Sequence, residues 1–257
     1  MPSTAFSAVR ENALSAPPTP RADQVALFAD LDGTLAPIEV TPDAVKPDRL
    51  RRRLLDALSR ALKGRLAVVS GRGLADLDQL LEGRARAVGA LHGLVRRRAN
   101  GEVVEAATAA STRAAVITLR EFAKADRRLI VEDKGPSVAL HFRRAPEDAE
   151  ACRDLAARLA SRYGLALQDG DMVVELRAPG PHKGEAVEAF MREAPFAGAK
   201  PIFIGDDLTD EDGFRAARKL GGFGVIVGPR RPTDAVYALA DVAAAQAWLS
   251  KLAGVRR

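Results

Sequence analysis

Short apolar runs alternate with helical patterns in the first and last thirds of the chain, and most of the runs stop at polar residues. These runs predict buried strands at residues 25–28, 66–69, 87–91, 201–204 and 224–227. Apolar residues at helical spacing predict helices at 47–62, 74–81, 183–192, 211–220 and 242–252. Strands that alternate with single helices favour a parallel sheet covered on both faces, so the expected fold class is α/β.

The pattern changes between residues 106 and 180. Alternating apolar and polar positions there predict a β-hairpin and a second strand pair, at 129–133, 137–142, 165–168 and 172–176. Helical patterns accompany them, at 108–124 and 146–163. Antiparallel pairs with helices form an α+β layer and do not continue a parallel sheet. We therefore expect an inserted α+β cap domain, entered near 106–110 and left through 178–181.

The expected organisation is a core made of residues 21–105 and 181–257, a cap at 106–180 and a flexible tail at 1–20. The tail contains Pro17, Pro18 and Pro20 and lacks the continuous apolar core of a secretory signal. No later segment approaches the roughly 18 uncharged apolar residues of a membrane span. We expect a soluble, cytoplasmic protein with no membrane partner, and a monomer.

Composition narrows the classes of partner. The 257 residues carry a formal net charge of +5 and only 5% aromatic residues. Arginine clusters at 51–53 and 96–98 lack the interleaved aromatic side chains that stack on bases, so we expect solvated edges and no nucleic-acid partner. The basic balance agrees with a mild attraction for anionic substrates. The single cysteine, Cys152, lies in an alanine-rich helical stretch and is expected to be inert packing.

Two carboxylates follow the first predicted strand, where charge is unusual. Asp30 and Asp32 stand one residue apart before the turn at Gly33 and Thr34. Acids at the carboxyl end of such a strand project into the crevice where open α/β sheets bind ligands. One acid can attack an electrophile while the other carries a proton, and both can hold a divalent cation. The alternative is an acidic turn at the end of the strand, because Asp and Gly are common in turns.

A denser acidic cluster, residues 206–212, follows the strand predicted at 201–204. Asp210 or Thr209 can cap the next helix, and acids suit its first turn. Asp206 and Asp207 precede that turn, so their mutual repulsion needs another compensation. A magnesium ion bound together with Asp30 would supply it. This pattern predicts a metal site at Asp30, Asp32 and Asp206, supported by Asp207 and Asp210.

Two further polar residues stand between the acidic clusters. Ser70 ends the second predicted strand, and Lys183 begins a helix after the Pro/Gly exit of the insert. Both can hold a phosphoryl group, the hydroxyl by a hydrogen bond and the ammonium as a point charge. Taken separately, Ser70 also fits a helix cap and Lys183 a surface lysine.

The order Asp-x-Asp-Gly-Thr-Leu, strand-end Ser, Lys and Gly-Asp-Asp resembles the four-motif signature of the haloacid dehalogenase superfamily. The resemblance implies a Rossmannoid parallel-sheet core with a cap, and Mg²⁺ as cofactor. It also implies that Asp30 is a nucleophile that forms an aspartyl-phosphate, and that Asp32 is the general acid and base. Unaided phosphate monoester hydrolysis is extremely slow, so charge neutralisation and positioning must supply most of the acceleration.

The insert narrows this resemblance to the trehalose-6-phosphate phosphatases, through the segments 132–135, 139–143, 174–177 and 205–211. The resemblance implies that the cap grips the sugar through Glu132, Lys134 and Glu175. On the core side, Arg72 and His92 match family motifs at 70–72 and 91–93 and are implied to bind substrate, with Gly33 and Thr34. Without the resemblance, the same positions fit exposed strand neighbours, a surface arginine and a satisfied histidine.

The sequence therefore predicts a magnesium-dependent phosphatase acting on trehalose 6-phosphate. Two alternatives stay open: a related phosphatase for another sugar phosphate, of the sucrose or mannosylglycerate type, and a non-catalytic sugar-phosphate sensor. The family often has Pro directly after Glu-Leu-Arg/Lys, whereas Ala178 intervenes here before Pro179. The spacing from Glu175 to Lys183 is retained, so this departure affects only the hinge.

Overall fold

The computed structural model describes residues 14–39, 41, 44–105, 109–135, 137–170, 172–177, 182–230 and 232–255. Its strands are β1 (Val25–Ala29), β2 (Leu66–Val69), β3 (Ala87–Ala90), β4 (Val95–Arg97), β5 (Val103–Glu105), β6 (Ile130–Asp133), β7 (Ser137–His141), β8 (Ala166–Gly170), β9 (Val173–Arg177), β10 (Lys200–Gly205), β11 (Phe223–Val227) and β12 (Tyr237–Leu239). Its helices are α1 (Arg49–Ala61), α2 (Leu74–Leu81), α3 (Ala109–Ala123), α4 (Ala149–Tyr163), α5 (Lys183–Met191), α6 (Glu211–Lys219) and α7 (Val242–Leu252). Among the residues so described, no helix is both long enough and apolar enough to cross a membrane.

The larger sheet has eight strands in the order β12-β11-β10-β1-β2-β3-β4-β5. The strands from β12 to β3 pair in parallel, and β4 and β5 add an antiparallel edge. Phe28 of β1 lies opposite Phe203 of β10 on one side and Ala67 of β2 on the other. The carboxyl ends of these three strands therefore meet, and β1 lies where the strand order reverses. Open α/β sheets bind ligands at such a point.

Side chains alternate across β1 and build a core on each face of the sheet. Leu27 and Ala29 belong to an aliphatic cluster, whereas Ala26 and Phe28 belong to an aromatic one. The rings of Phe28 and Phe196 stack with centroids 5.5 Å apart. All five residues of β1 are buried, which explains the uninterrupted apolar run and fixes the positions of the acids that follow it.

The smaller sheet is antiparallel, with strand order β6-β7-β9-β8, and it confirms the predicted hairpin and strand pair. Val138, Leu140, Val174 and Leu176 are buried in one cluster with residues of α3 and α4. Cys152 is a free, buried thiol in that cluster, where burial raises its pKa, as expected of packing. The residues at alternate positions, including Glu132 and Glu175, point to the opposite face.

Three strands were not predicted: β4, β5 and β12. Each has only three residues, so none shows a periodic pattern. The expectation that both arginine clusters are solvated is wrong at two positions. Arg51 and Arg96 are 4% and 8% exposed, respectively, and the Arg96 guanidinium pairs with Glu193 at 2.8 Å.

The amino-terminal segment differs from the expected loose tail where it is described. The carbonyl oxygen of Ser15 accepts a hydrogen bond from the Ala238 amide of β12, at 3.0 Å. The Pro18 carbonyl accepts one from Trp248 Nε1 of α7, at 3.1 Å. Residues 1–13 and the cap's entry at 106–108 and exit at 178–181 lie outside the described residues. The proposed division into core and cap therefore stays a prediction.

Candidate active site

The predicted residues converge on one cavity of about 700 Å³ at the carboxyl ends of β1, β2, β3 and β10. It is lined by Asp30, Asp32, Ile38, Glu39, Thr41, Val45, Ser70, Gly71, Arg72, Gly73, Asp76, Leu91, His92, Glu132, Lys134, Lys183, Asp206, Asp207 and Thr209. Both sheets contribute, because Glu132 and Lys134 belong to the β6 strand and its turn. Four predicted residues lie beside the cavity without lining it: Gly33, Thr34, Glu175 and Asp210.

Lys183 is a buried cation and not a surface lysine, since it is only 1% exposed. Its Nζ lies 3.2 Å from Asp30 Oδ1 and 2.7 Å from Asp210 Oδ1. Burial lowers the pKa of Lys183, but the two carboxylates outweigh that effect and raise it overall. The ammonium therefore stays charged beside Asp30 over the physiological pH range.

A divalent cation fits the acidic cluster formed by Asp30, Asp206 and Asp210, whose ligand oxygens lie within 4.8 Å of one another. Burial raises the pKa of Asp30 to about 8 and that of Asp206 to about 6. Asp30 Oδ1 makes no hydrogen bond within the described residues although it is buried. Hard divalent cations prefer carboxylate oxygens, and the three carboxylates of this cluster carry more negative charge than the Lys183 ammonium beside them compensates.

Both carboxylate oxygens of Asp210 already accept hydrogen bonds, so Asp30 and Asp206 are the stronger candidate ligands of a cation. One Asp210 oxygen accepts from Lys183, and the other accepts from the amides of Asp206 and Asp207, at 3.0 and 2.9 Å. Its side chain does not cap α6, which was one alternative from the sequence. Asp210 instead fixes the strand-end loop, and its supporting role at a metal site stays a prediction. Asp207 lines the cavity and caps the short turn at 208–210.

Gly33 and Thr34 hold Asp206; they do not present free groups to a substrate. Gly33 has φ +76°, and a Cβ at that position would lie 2.1 Å from Asp206 Oδ2. The Thr34 hydroxyl donates to Asp206 Oδ1 at 3.2 Å. The backbone amides of Gly33 and Thr34 donate to Ala36 and Leu31. In this structure both residues support the Asp206 carboxylate, and their expected substrate-binding role stays a prediction.

Asp32 and Arg72 form a two-point ion pair. Arg72 Nε and Nη2 donate to the two oxygens of Asp32, at 2.6 and 2.7 Å. The acidic cluster among the described residues does not include the Asp32 carboxylate, whose two oxygens both accept from Arg72. The sequence assigned Arg72 to the substrate and Asp32 to the metal. Both assignments stay predictions; in this structure Arg72 orients the Asp32 carboxylate at the cavity wall.

Ser70 and His92 complete the core side of the cavity. Ser70 is 1% exposed and accepts a hydrogen bond from the Arg72 amide, so it does not cap α2. His92 Nδ1 is buried and has no hydrogen bond within the described part of the chain. Burial, and then the charges of Lys183 and Arg177, lower the pKa of His92 to about 4. The imidazole is therefore neutral at pH 7.

Charged side chains from the smaller sheet face these groups. Lys134 Nζ lies 3.4 Å from Glu175 Oε2 and 3.8 Å from Glu132 Oε2. Glu132 and Lys134 line the cavity, whereas Glu175 does not line it and contacts Lys134. Sequence reasoning missed the lining residues Ile38, Glu39, Thr41 and Asp76, which lie in the loop before α1 and in the first turn of α2. Loop and turn residues carry no periodic signal that could have indicated them.

The fold belongs to the haloacid dehalogenase class. The chain matches a phosphatase of the haloalkanoate (HAD) enzyme superfamily from Bacteroides thetaiotaomicron with a TM-score of 0.58 and 18% identity. The match covers 99% of this chain and 100% of that one. The parallel core sheet, with its acids at the carboxyl end of the central strand, confirms the expected fold class.

The particular family follows from the sequence comparisons. The trehalose-phosphatase family profile matches residues 28–243, so the chain belongs to this family of enzymes. It is 40% identical over 247 residues to a probable trehalose-phosphate phosphatase of Sinorhizobium fredii, covering 95% of this chain and 92% of that protein. It is also 40% identical over 234 residues to the trehalose-6-phosphate phosphatase of Escherichia coli, covering 88% and 86%.

Proposed function

We propose that this protein is a Mg²⁺-dependent phosphatase that converts trehalose 6-phosphate into trehalose and phosphate. One observation carries the proposal: Asp30, Lys183 and Asp206 share a cavity with Glu132 and Lys134 from the other sheet. The first three suit a phosphoryl group and the last two suit a hydroxyl-rich sugar. Family membership supports the same reading. We also propose that residues 21–105 and 181–257 form the catalytic core and 106–180 a substrate-selecting cap.

Asp30 acts as the nucleophile in this proposal. One of its carboxylate oxygens attacks phosphorus, and the bond between phosphorus and the sugar oxygen breaks. Asp32 enters the reaction protonated, after one of its oxygens has left Arg72, and donates that proton to the leaving oxygen. It later accepts a proton from the water that attacks the phosphorus of the aspartyl-phosphate, which restores its starting state. The bond between Asp30 and phosphorus then breaks and releases phosphate. For each transfer, one Asp32 oxygen exchanges its contact with Arg72 for the reacting group.

Positive charge at the site supports this chemistry. When bound, Mg²⁺ held by Asp30 and Asp206 would neutralise charge on the phosphoryl oxygens. Lys183 lies 3.2 Å from Asp30 Oδ1 and compensates the negative charge that the nucleophile and the phosphoryl group share. The Ser70 hydroxyl is buried in the same wall and can donate to a phosphoryl oxygen.

The experiment is phosphate release from trehalose 6-phosphate by the purified protein, with Mg²⁺ and with chelator. We expect release with Mg²⁺, loss with chelator and loss in Asp30→Asn, which keeps the shape of the side chain but removes its charge. Release that persists in Asp30→Asn would exclude the nucleophile assignment.

A substrate panel distinguishes the rival functions. Faster turnover of glucose 6-phosphate or sucrose 6-phosphate than of trehalose 6-phosphate would reject the substrate and favour a related sugar phosphatase. Binding of trehalose 6-phosphate without release of phosphate from any member of the panel would favour the sensor. The intact pair Asp30 and Asp32 argues against a sensor, because binding alone needs neither a nucleophile nor a proton carrier.

A further inference from the structure

The open face of the smaller sheet carries an imidazole that the proposed chemistry does not use. Cross-strand pairing sets Glu132 opposite Ala139, and Ala139 opposite Glu175, in one row. His141 lies two residues beyond Ala139 on β7, so its side chain is on the same face as Glu132. Diagonal neighbours on one face of a sheet are within reach of long side chains.

His141 contacts Glu132 directly. The distance between His141 Nε2 and Glu132 Oε2 is 3.0 Å, which is a hydrogen bond from the ring N–H to the carboxylate. Lys134 Nζ lies 3.8 Å from the same oxygen. Glu132 and Lys134 line the cavity, whereas His141 does not. His141 therefore contacts Glu132 without itself lining the cavity.

We propose that His141 is a positioning residue that fixes the Glu132 carboxylate for a hydroxyl group of the sugar. The inference rests on the proposed function only for the identity of that sugar. A half-exposed glutamate has several rotamers, and ordering a long side chain at the moment of binding has an entropic cost. Contacts to Oε2 order the side chain beforehand and leave Oε1 for the ligand, which is how pre-organisation increases affinity.

The test compares His141→Phe with His141→Gln. Phenylalanine keeps a ring and removes the donor, whereas glutamine keeps an N–H donor on a chain of similar reach. We expect His141→Phe to raise KM for trehalose 6-phosphate about three- to tenfold, as for one lost hydrogen bond, with kcat within about twofold. His141→Gln should restore most of the lost affinity. The control substrate is p-nitrophenyl phosphate, which has no sugar hydroxyl, and its kcat/KM should not change.

A second measurement needs no substrate. The chain has three histidines, so the imidazole ¹⁵N resonances can be assigned from single variants. Glu132→Gln should shift the Nε2 resonance of His141 and leave that of His182 in place. An unchanged His141 resonance overturns the proposal whatever the substrate is.

The kinetic outcomes separate the two proposals. A KM for His141→Phe equal to that of the unaltered enzyme, or an equal loss on p-nitrophenyl phosphate, overturns the positioning role and leaves the phosphatase intact. If the unaltered enzyme prefers another sugar phosphate, the trehalose 6-phosphate assignment fails. The same variants are then compared on the preferred substrate, where a raised KM supports the positioning role and an unchanged KM overturns it.

Discussion

Replacing Lys183 by methionine removes a buried charge without removing the volume of the side chain. Lys183 is 1% exposed, and its Nζ lies 2.7 Å from Asp210 Oδ1. At an effective dielectric constant of about 20, two unit charges at that distance attract each other by about 6 kcal/mol. Burying the ammonium offsets part of this gain, so we expect the free energy of unfolding to fall by about 3–5 kcal/mol.

Lys219→Met is the matched control, because it makes the same substitution in an exposed ion pair. Lys219 Nζ lies 2.9 Å from Glu188 Oε1, but the lysine side chain is 73% exposed. Exposed pairs contribute about 0–1 kcal/mol, so this variant should unfold almost as the unaltered chain does. Urea unfolding followed by circular dichroism, in chelator at pH 7, measures both. Equal losses in the two variants would refute the argument that burial makes the Lys183 pair strong.

Two further predictions concern the walls of the cavity. Gly33→Ala places a Cβ 2.1 Å from Asp206 Oδ2, so it should displace that carboxylate. The Mg²⁺ concentration for half-maximal phosphate release should rise about tenfold or more, and an unchanged value would contradict the support role of Gly33. His92 has a folded-state pKa of about 4 against an ordinary 6.5, so stability should fall as pH drops below 6.5. In the His92→Gln variant, the free energy of unfolding measured by urea titration should fall less between pH 6.5 and pH 4, by up to about 3 kcal/mol. If the free energies of unfolding of the variant and the unaltered protein depended on pH in the same way, the buried neutral imidazole would be excluded.

Much of the fold could be predicted because buried strands and helices leave a local pattern of apolar residues in the sequence. The structure has β2, α2 and α7 at the predicted residues, since their apolar positions repeat at the period of a strand or a helix. The sequence gives no such signal for β4, whose three residues include two arginines. That strand forms because β3 offers it a neighbouring edge, which is a tertiary effect.

The candidate site likewise has a part that the sequence predicts and a part that it does not. Strand-end acids were predictable because a charge that ends an apolar run has few structural explanations. The pairing of Arg72 with Asp32 was not predictable, because the two residues are 40 positions apart and only the turn after β2 brings them together. The same holds for the Asp206 carboxylate, which contacts Thr34 across 172 positions.

The segment from Ser15 to Pro18 has a consequence for how the protein behaves in concentrated solution. β12 is the outermost strand on one side of the larger sheet, and an uncovered outer strand is a template on which another chain can add. The Ser15 carbonyl oxygen accepts a hydrogen bond from the outward amide of Ala238, and the Pro18 carbonyl oxygen accepts one from the indole N–H of Trp248. The amino-terminal segment thus covers this edge of the sheet. Removing the residues up to and including Pro18 should expose the edge and increase self-association of the protein over time.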